Sequence, residues 1–215
     1  MSLFITFEGP DGSGKTTQAH LLVEDLRGRG YPVIYAREPG GTEISEQIRR
    51  VILSPRNKAM RRETEVLLFS AARAQIVAEL IRPALAAGKV VVCDRYADST
   101  MAYQGYGLGL DLDALRAITR FATGGLVPAL TFYVDVPAQV GLARRHRGET
   151  NRLDQKNLEY HTRVREGYLA LARAEPQRFV VVDGTRAIDQ VHQEIRARMV
   201  RELNTVSPNW QRINE

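Results

Sequence analysis

The sequence is poorest in the residues that staple or anchor a chain. It holds one cysteine, Cys93, among 215 residues. A single thiol cannot form an intramolecular disulfide, so the expected compartment is a reducing one, the cytoplasm. No apolar run approaches the ~18 residues of a membrane-spanning helix, and no membrane partner is expected. Met1 to Phe7 is a short apolar run that meets Glu8 and a glycine loop. It lacks the basic start, long apolar stretch and small-residue cleavage site of a secretory leader. Internal repeats, low-complexity tracts and linkers are missing too. The single tryptophan, Trp210, falls in a polar tail at 204–215 to which the sequence assigns no role.

What is present suits one globular domain over 1–203: 44% of the residues are hydrophobic and 26% charged. The net charge of +5 fits nucleic acid binding or arginines gathered around a small phosphorylated ligand, and composition does not choose between them. Five short apolar runs read as buried strands: Leu3 to Phe7, Tyr31 to Tyr35, Val90 to Cys93, Leu130 to Val136 and Phe179 to Val182. Helical patterns lie between them, at Lys15 to Arg29, Glu63 to Ala87 with a break at Pro83, Asp111 to Phe121, Ala138 to Arg147, Leu153 to Ala174 and Ala187 to Leu203. Continuous apolarity without alternation belongs to parallel strands covered on both faces. The expected fold class is therefore α/β, a doubly wound parallel sheet of about five strands flanked by helices.

Gly9, four residues, then Gly14, Lys15 and Thr16 make a complete phosphate-loop pattern. It stands between a predicted strand and a predicted helix, the context the pattern requires. Such a loop, here Gly9, Pro10, Asp11, Gly12, Ser13, Gly14, Lys15, Thr16 and Thr17, turns backbone amides toward phosphates at a helix N-terminus. Lys15 would bridge the outer phosphates and Thr16 would hold Mg²⁺. Asp94, which ends the apolar run "VVVCD", is the expected second magnesium-side group, and Arg95 after it a clamp for another phosphate. Cys93 reads as a small buried hydrophobe. Asp11 is the odd member, an anion inside a loop for anions. It must face an acceptor-seeking group: a sugar hydroxyl, Mg²⁺ or its waters, or the loop's own amides.

Five segments, "EGPDGSGKTT", "REPGGT", "LLFSAAR", "DRYADSTMAYQG" and "NRLDQ", occur in this order. In order and spacing they resemble the bacterial thymidylate kinases over nearly the whole chain, and the residues between Gly9 and Lys15 lack the arginine that some members carry there. The resemblance implies a P-loop kinase fold and transfer of the γ-phosphate of ATP to dTMP with Mg²⁺, giving dTDP. It implies a homodimer, small-molecule substrates and no nucleic acid. For the acceptor it implies Phe69 stacking on thymine, Arg73 donating to a base carbonyl, Gln104 pairing with a base edge, and Ser99 and Thr100 lining the pocket. It further implies Tyr103 crowding the 2′ position, Glu38 and Pro39 beside dTMP, Arg49 near its phosphate, and Asp11 facing its 3′-hydroxyl. For the donor it implies a short lid at about 144–153 whose Arg147 and Arg152 supply catalytic charge. Arg144 or Arg145 would pack on adenine, opposite Asp183 to Arg186. From the residues alone, Phe69 and Arg73 read as a core ring and a solvated cation on one helix face. For the lid arginines a solvated charged loop is the bland alternative, but four arginines in nine residues opposite a phosphate loop favour function. The rival from another class is a phosphate-loop ATPase switch that binds DNA or protein; a closer rival is a kinase that also accepts dUMP.

Overall fold

The computed structural model describes residues 2–145 and 156–206. Among them, β1 (Leu3–Glu8), β2 (Val33–Arg37), β3 (Val90–Asp94), β4 (Leu130–Asp135) and β5 (Phe179–Asp183) form one sheet in the order β2-β3-β1-β4-β5. Every pairing is parallel. The expected doubly wound sheet is thus the observed one.

Alternation along β1 sets the two layers. Leu3, Ile5 and Phe7 pack with Leu22 and Leu26 of α1 (Lys15–Gly28) and with Ile195 and Met199 of α9 (Ile188–Val206). Phe4 turns to the other face, toward Ile76 of α3 (Arg62–Ile76) and Tyr96. Thr6 and Glu8 have the parity of Phe4 and are fully buried. Farther across the sheet, Tyr133 of β4 packs with Val164, Tyr168 and Leu171 of α8 (Leu158–Ala174).

The strand order reverses at β1. In open sheets of this kind the crevice beyond the carboxyl ends at such a point is where ligands bind. All five strands end there in a charged residue: Glu8, Arg37, Asp94, Asp135 and Asp183. The register sets Phe7 beside Asp94 and Arg37 on its other side, so the loops after β1, β2 and β3 meet. The loop after β2 leads into α2 (Glu43–Leu53), capped by the Thr42 hydroxyl, which accepts from Ser45 N.

Three sequence expectations are corrected. The strand expected at Tyr31 to Tyr35 runs from Val33 to Arg37 instead. Tyr31 N still donates to Leu26 O at the end of α1, and Pro32 has no N–H to offer a sheet. The helix over 63–87 does not break at Pro83. A π-helical turn, Val77–Ile81, joins α3 to α4 (Arg82–Ala86), with Arg82 N donating to Val77 O, and Pro83 sits in the first turn of α4, where its missing N–H costs little. The helix expected from Leu153 starts at Leu158, where the Asn157 side chain accepts from Tyr160 N. A further element was not foreseen: α5 (Ala97–Thr100) runs into a second π-helical turn, Met101–Gly107. The chain also forms α6 (Leu112–Thr123) and α7 (Ala138–Arg145).

Candidate active site

The loop from Gly9 to Gly14 joins β1 to α1 as the spacing requires. Gly14, at the N-cap of α1, has φ 90°, a left-handed backbone that only glycine adopts at no cost. Gly12, at φ 77°, lies so close to the backbone of Gly141 that a Cβ there would collide with its carbonyl oxygen. Lys15 is 7% exposed at the start of α1. Burial, and then the nearby charge of Arg95, lower the affinity of its amine for a proton. An amine so desolvated interacts strongly with any anion that enters. Thr16 and Thr17 are exposed, and Pro10 and Ser13 are buried.

Thr16 Oγ1 donates to Asp94 Oδ2 at 2.5 Å, so the two expected magnesium-side groups stand together. The other oxygen, Asp94 Oδ1, is buried without a hydrogen-bond partner among the described residues. A buried, unmatched carboxylate oxygen beside a threonine hydroxyl and a phosphate loop fits Mg²⁺, which takes one or two carboxylates and completes its shell with water and phosphate. No cluster of three or more His, Cys, Asp or Glu suited to a metal occurs among the described residues.

Behind this loop lies a cavity of about 160 Å³, lined by Asp11, Glu38, Pro39, Arg49, Leu53, Phe69, Arg73, Arg95, Ser99, Thr100, Tyr103 and Gln104. Every residue that the sequence reading gathered around the acceptor is in this wall, and Leu53 is the one addition. Arg73 is 2% exposed, which excludes a solvated cation on the surface of α3. It donates through Nε to Glu38 Oε2 at 2.7 Å, through Nη1 to Thr100 Oγ1 at 2.9 Å and through Nη2 to Tyr96 O at 3.1 Å. Two of its five N–H groups remain beyond these three bonds. Glu38 Oε1 is buried without a hydrogen-bond partner among the described residues. Gln104 Nε2 donates to Glu65 Oε1 at 2.8 Å, and Glu65, which sequence reasoning missed, thereby orients the amide. Arg49 Nη1 donates to Pro39 O at 2.7 Å. Burial, and then Arg37, lower its hold on its proton, leaving a half-buried cation at the cavity wall.

Arg95 has φ 69°, the single non-glycine residue with positive φ among those described. Such a backbone costs on the order of 1 kcal/mol and persists only where contacts enforce it. The contacts are dense. Nη2 donates to Asp11 Oδ1 at 2.6 Å and to Tyr103 OH at 3.1 Å, and Nη1 donates to Gly9 O at 3.0 Å. Asp11 Oδ1 also lies 3.5 Å from Lys15 Nζ. The anion in the phosphate loop therefore stands between two cations and lines the cavity, which is why the loop tolerates it.

Two further partners of this site escaped the sequence reading, Glu8 and Tyr168. Burial, together with the charge of Asp98, pushes the Glu8 carboxyl from 4.5 up to about 7, against hydrogen bonds and charge from Ser99, Arg95 and Tyr168. Between those values the folded chain holds a proton that the unfolded chain has released, so stability falls as pH rises through this window. The loss is up to about 3 kcal/mol from this one group. Glu8→Gln is expected to remove it: urea unfolding at pH 4.5 and pH 8 should show the variant gaining on the wild type by that amount. Parallel stability curves would refute the assignment. Cys93 is a buried hydrophobe, as expected; burial pushes its thiol well up and leaves it inert.

Arg144 Nη1 donates to Gly184 O at 2.8 Å, which brings α7 against the "DGTR" turn. Asp183 accepts from Thr185 N and Oγ1, and Arg186 pairs with Glu194 of α9. Arg147, Arg152 and the tip of the expected lid lie outside the described residues, as does the side chain of Arg145. No helix among the described residues is long and apolar enough to cross a membrane.

Comparison with known proteins gives a single picture. The family model described as thymidylate kinase matches residues 7–195. A thymidylate kinase of Roseiflexus castenholzii is 54% identical over 211 residues, covering 92% of each chain. That of Deinococcus radiodurans is 53% identical over 196 residues, covering 90% of this chain and 94% of the relative. The crystal structure of thymidylate kinase from Ehrlichia chaffeensis superposes with a TM-score of 0.77 at 36% identity, over 92% of this chain and 98% of the other.

Proposed function

This chain belongs to the thymidylate kinase family and phosphorylates dTMP, and on that premise we propose that it transfers the γ-phosphoryl group of ATP to dTMP, with Mg²⁺, through the residues gathered above. The observation that carries the residue assignment is the cavity itself: ten residues chosen from short motifs, and Arg49 from the helix after "REPGGT", line one space that opens beside the phosphate loop.

The wall suits a pyrimidine nucleotide. Phe69 offers an aromatic face to the base, Arg73 its remaining N–H groups to a base carbonyl, and Gln104 an amide to the base edge. Tyr103, 6% exposed, closes the side where a 2′-hydroxyl would sit, with Ser99 and Thr100 beside it. Arg49 and Arg95 face the acceptor phosphate, flanked by Glu38 and Pro39. Asp11, already on the cavity side of the loop, accepts from the 3′-hydroxyl. Phosphoryl transfer needs alignment and positive charge more than covalent chemistry. Loop amides and Lys15 hold the donor's phosphates while Arg95 holds the acceptor's, so the attacking oxygen and the transferred group meet between two fixed cations. Thr16 and Asp94 would hold Mg²⁺, which supplies charge neutralisation on the phosphates. The lid arginines Arg147 and Arg152 would add charge to the transferred group. Arg144 and the turn Asp183 to Arg186 would enclose adenine. A homodimer in the cytoplasm, acting on small molecules and not on nucleic acid, completes the reading. An ATPase switch that binds DNA or protein finds no support in a cavity of this make-up.

Substrate selection by Tyr103 variants tests the assignment. Tyr103→Phe keeps the ring, whereas Tyr103→Ala opens the wall. Only the alanine variant is expected to gain use of a ribonucleoside monophosphate, by about tenfold or more in kcat/KM relative to dTMP. Equal discrimination by both variants would place sugar selection elsewhere.

A further inference from the structure

Glu8 ends β1 on the face away from α1, fully buried, and is not among the residues that line the cavity. Both of its oxygens are engaged. Oε1 accepts from Tyr96 N at 2.7 Å, and Oε2 accepts from Ser99 Oγ at 2.6 Å and from Tyr168 OH at 2.8 Å. The two hydroxyls are 2.9 Å apart, and both also accept from Arg95 Nη1, at 3.2 and 3.4 Å. A hydroxyl has one proton. Ser99 and Tyr168 can both turn lone pairs to Arg95 because Glu8 Oε2 takes their protons from behind. Three elements meet at this point: β1 through Glu8, α5 through Ser99, and α8 through Tyr168.

We propose that Glu8 is the positioning residue of Arg95: through Ser99 and Tyr168 it fixes the guanidinium at the wall of the acceptor cavity, without touching either substrate. The inference rests on the reading of Arg95 as the clamp on the acceptor's phosphate.

A group that only filled space here would not be a carboxyl, since burying one costs far more than burying an apolar side chain. The charged and titratable groups that bear on Glu8 are Asp98 on α5, Arg95 before it, Tyr168 on α8, Lys15 on α1, Arg73 on α3 and Cys93 on β3. Burial and Asp98 bring the carboxyl to about 7, so its charge responds to what stands before Arg95. An arriving phosphate dianion favours the protonated form, and acceptor binding near neutral pH then takes up part of a proton through Glu8. In the protonated form Oε2 donates to one hydroxyl and accepts from the other, so the ring of bonds stays closed and Arg95 keeps both acceptors.

The test combines kinetics with calorimetry. KM for dTMP and for ATP is measured separately on wild type, Glu8→Ala, Glu8→Gln and Tyr168→Phe. Binding heats of dTMP are compared in two buffers of different ionisation enthalpy. Glu8→Ala is expected to raise the dTMP KM about tenfold or more and to leave the ATP KM within about twofold. Tyr168→Phe should show a smaller rise of the same kind. Glu8→Gln, which mimics the protonated acid, should recover most of the dTMP KM and take up less proton on binding than the wild type. A loss of melting temperature with both KM values unchanged, or changed alike, would overturn the proposal. If Glu8→Ala fails to fold, an unaltered dTMP KM in Tyr168→Phe, or proton uptake in Glu8→Gln equal to that of the wild type, would do so. Arg95→Ala separates the two readings. An unchanged dTMP KM in that variant counts against Arg95 as the clamp; a large rise there with Glu8→Ala silent counts against Glu8 alone.

Discussion

Lys15→Ala is expected to lower turnover by ~1000-fold while dTMP affinity stays within a few-fold. Lys15 is almost fully buried at the mouth of the phosphate loop, so its charge acts on an entering anion with little screening by water. A preorganised donor of this kind, when removed, typically costs 100- to 1000-fold, and a cation on a transferring phosphoryl group stands at or above the top of that range. The fold should tolerate the change, because Asp11 retains Arg95 at 2.6 Å as its main partner. Acceptor affinity should survive because Lys15 is not in the wall of the acceptor cavity. Turnover under saturating substrates, paired with equilibrium binding of dTMP, checks both halves. Near-native turnover would remove the loop from the mechanism.

Arg73→Ala should produce the largest loss of stability, about 3–5 kcal/mol, because it strands a buried carboxylate. Glu38 is 5% exposed, and its Oε2 has Arg73 Nε at 2.7 Å while Oε1 has no hydrogen-bond partner among the described residues. Burial already raises the proton affinity of Glu38 against the pull of Arg73. Without the guanidinium it rises further. A carboxyl whose folded value is raised loses stability as pH climbs above its unfolded value, so the variant should be more damaged at pH 8 than at pH 5. Replacing both partners with apolar groups, Arg73→Met with Glu38→Leu, should recover most of the loss. That double variant should still fail to select dTMP. Urea unfolding of the single and double variants at the two pH values reads the effect. A single variant within about 1 kcal/mol of wild type at both would contradict the buried pair.

Much of the site was legible because its parts are local. The phosphate loop needs only spacing between a strand and a helix. Asp94 declares itself by ending an apolar run, and it meets Thr16 across 78 positions because the first and third strands are neighbours. The acceptor wall was legible only by resemblance. Physical reading alone gave Arg73 to solvent, since nothing in "LLFSAAR" announces that Glu38, 35 positions earlier, will be buried against it. Glu8 and Tyr168 lie 160 positions apart and meet only after the sheet is assembled, so no spacing rule finds them. In hindsight the strand "LFITFE" carried a signal: its final acid has the parity of buried Phe4 and Thr6. The left-handed backbone of Arg95 left no such trace, because the residue is not glycine and its contacts come from β1, the phosphate loop, the π-helical turn and α8. Neither π-helical turn could be read, since an i→i+5 pattern over five or seven residues leaves no periodicity of its own.

The central claim is that the cavity beside the phosphate loop accepts dTMP, and that ATP phosphorylates it there. The most direct test measures ATP consumption and acceptor diphosphate formation with each of dTMP, dUMP, dCMP, dAMP, dGMP and UMP. The expected result is the highest kcat/KM for dTMP, one ADP released per dTDP formed, and little ATP turnover when no acceptor is present. An equal or higher kcat/KM with another monophosphate, or ATP hydrolysis indifferent to the acceptor, would contradict the account.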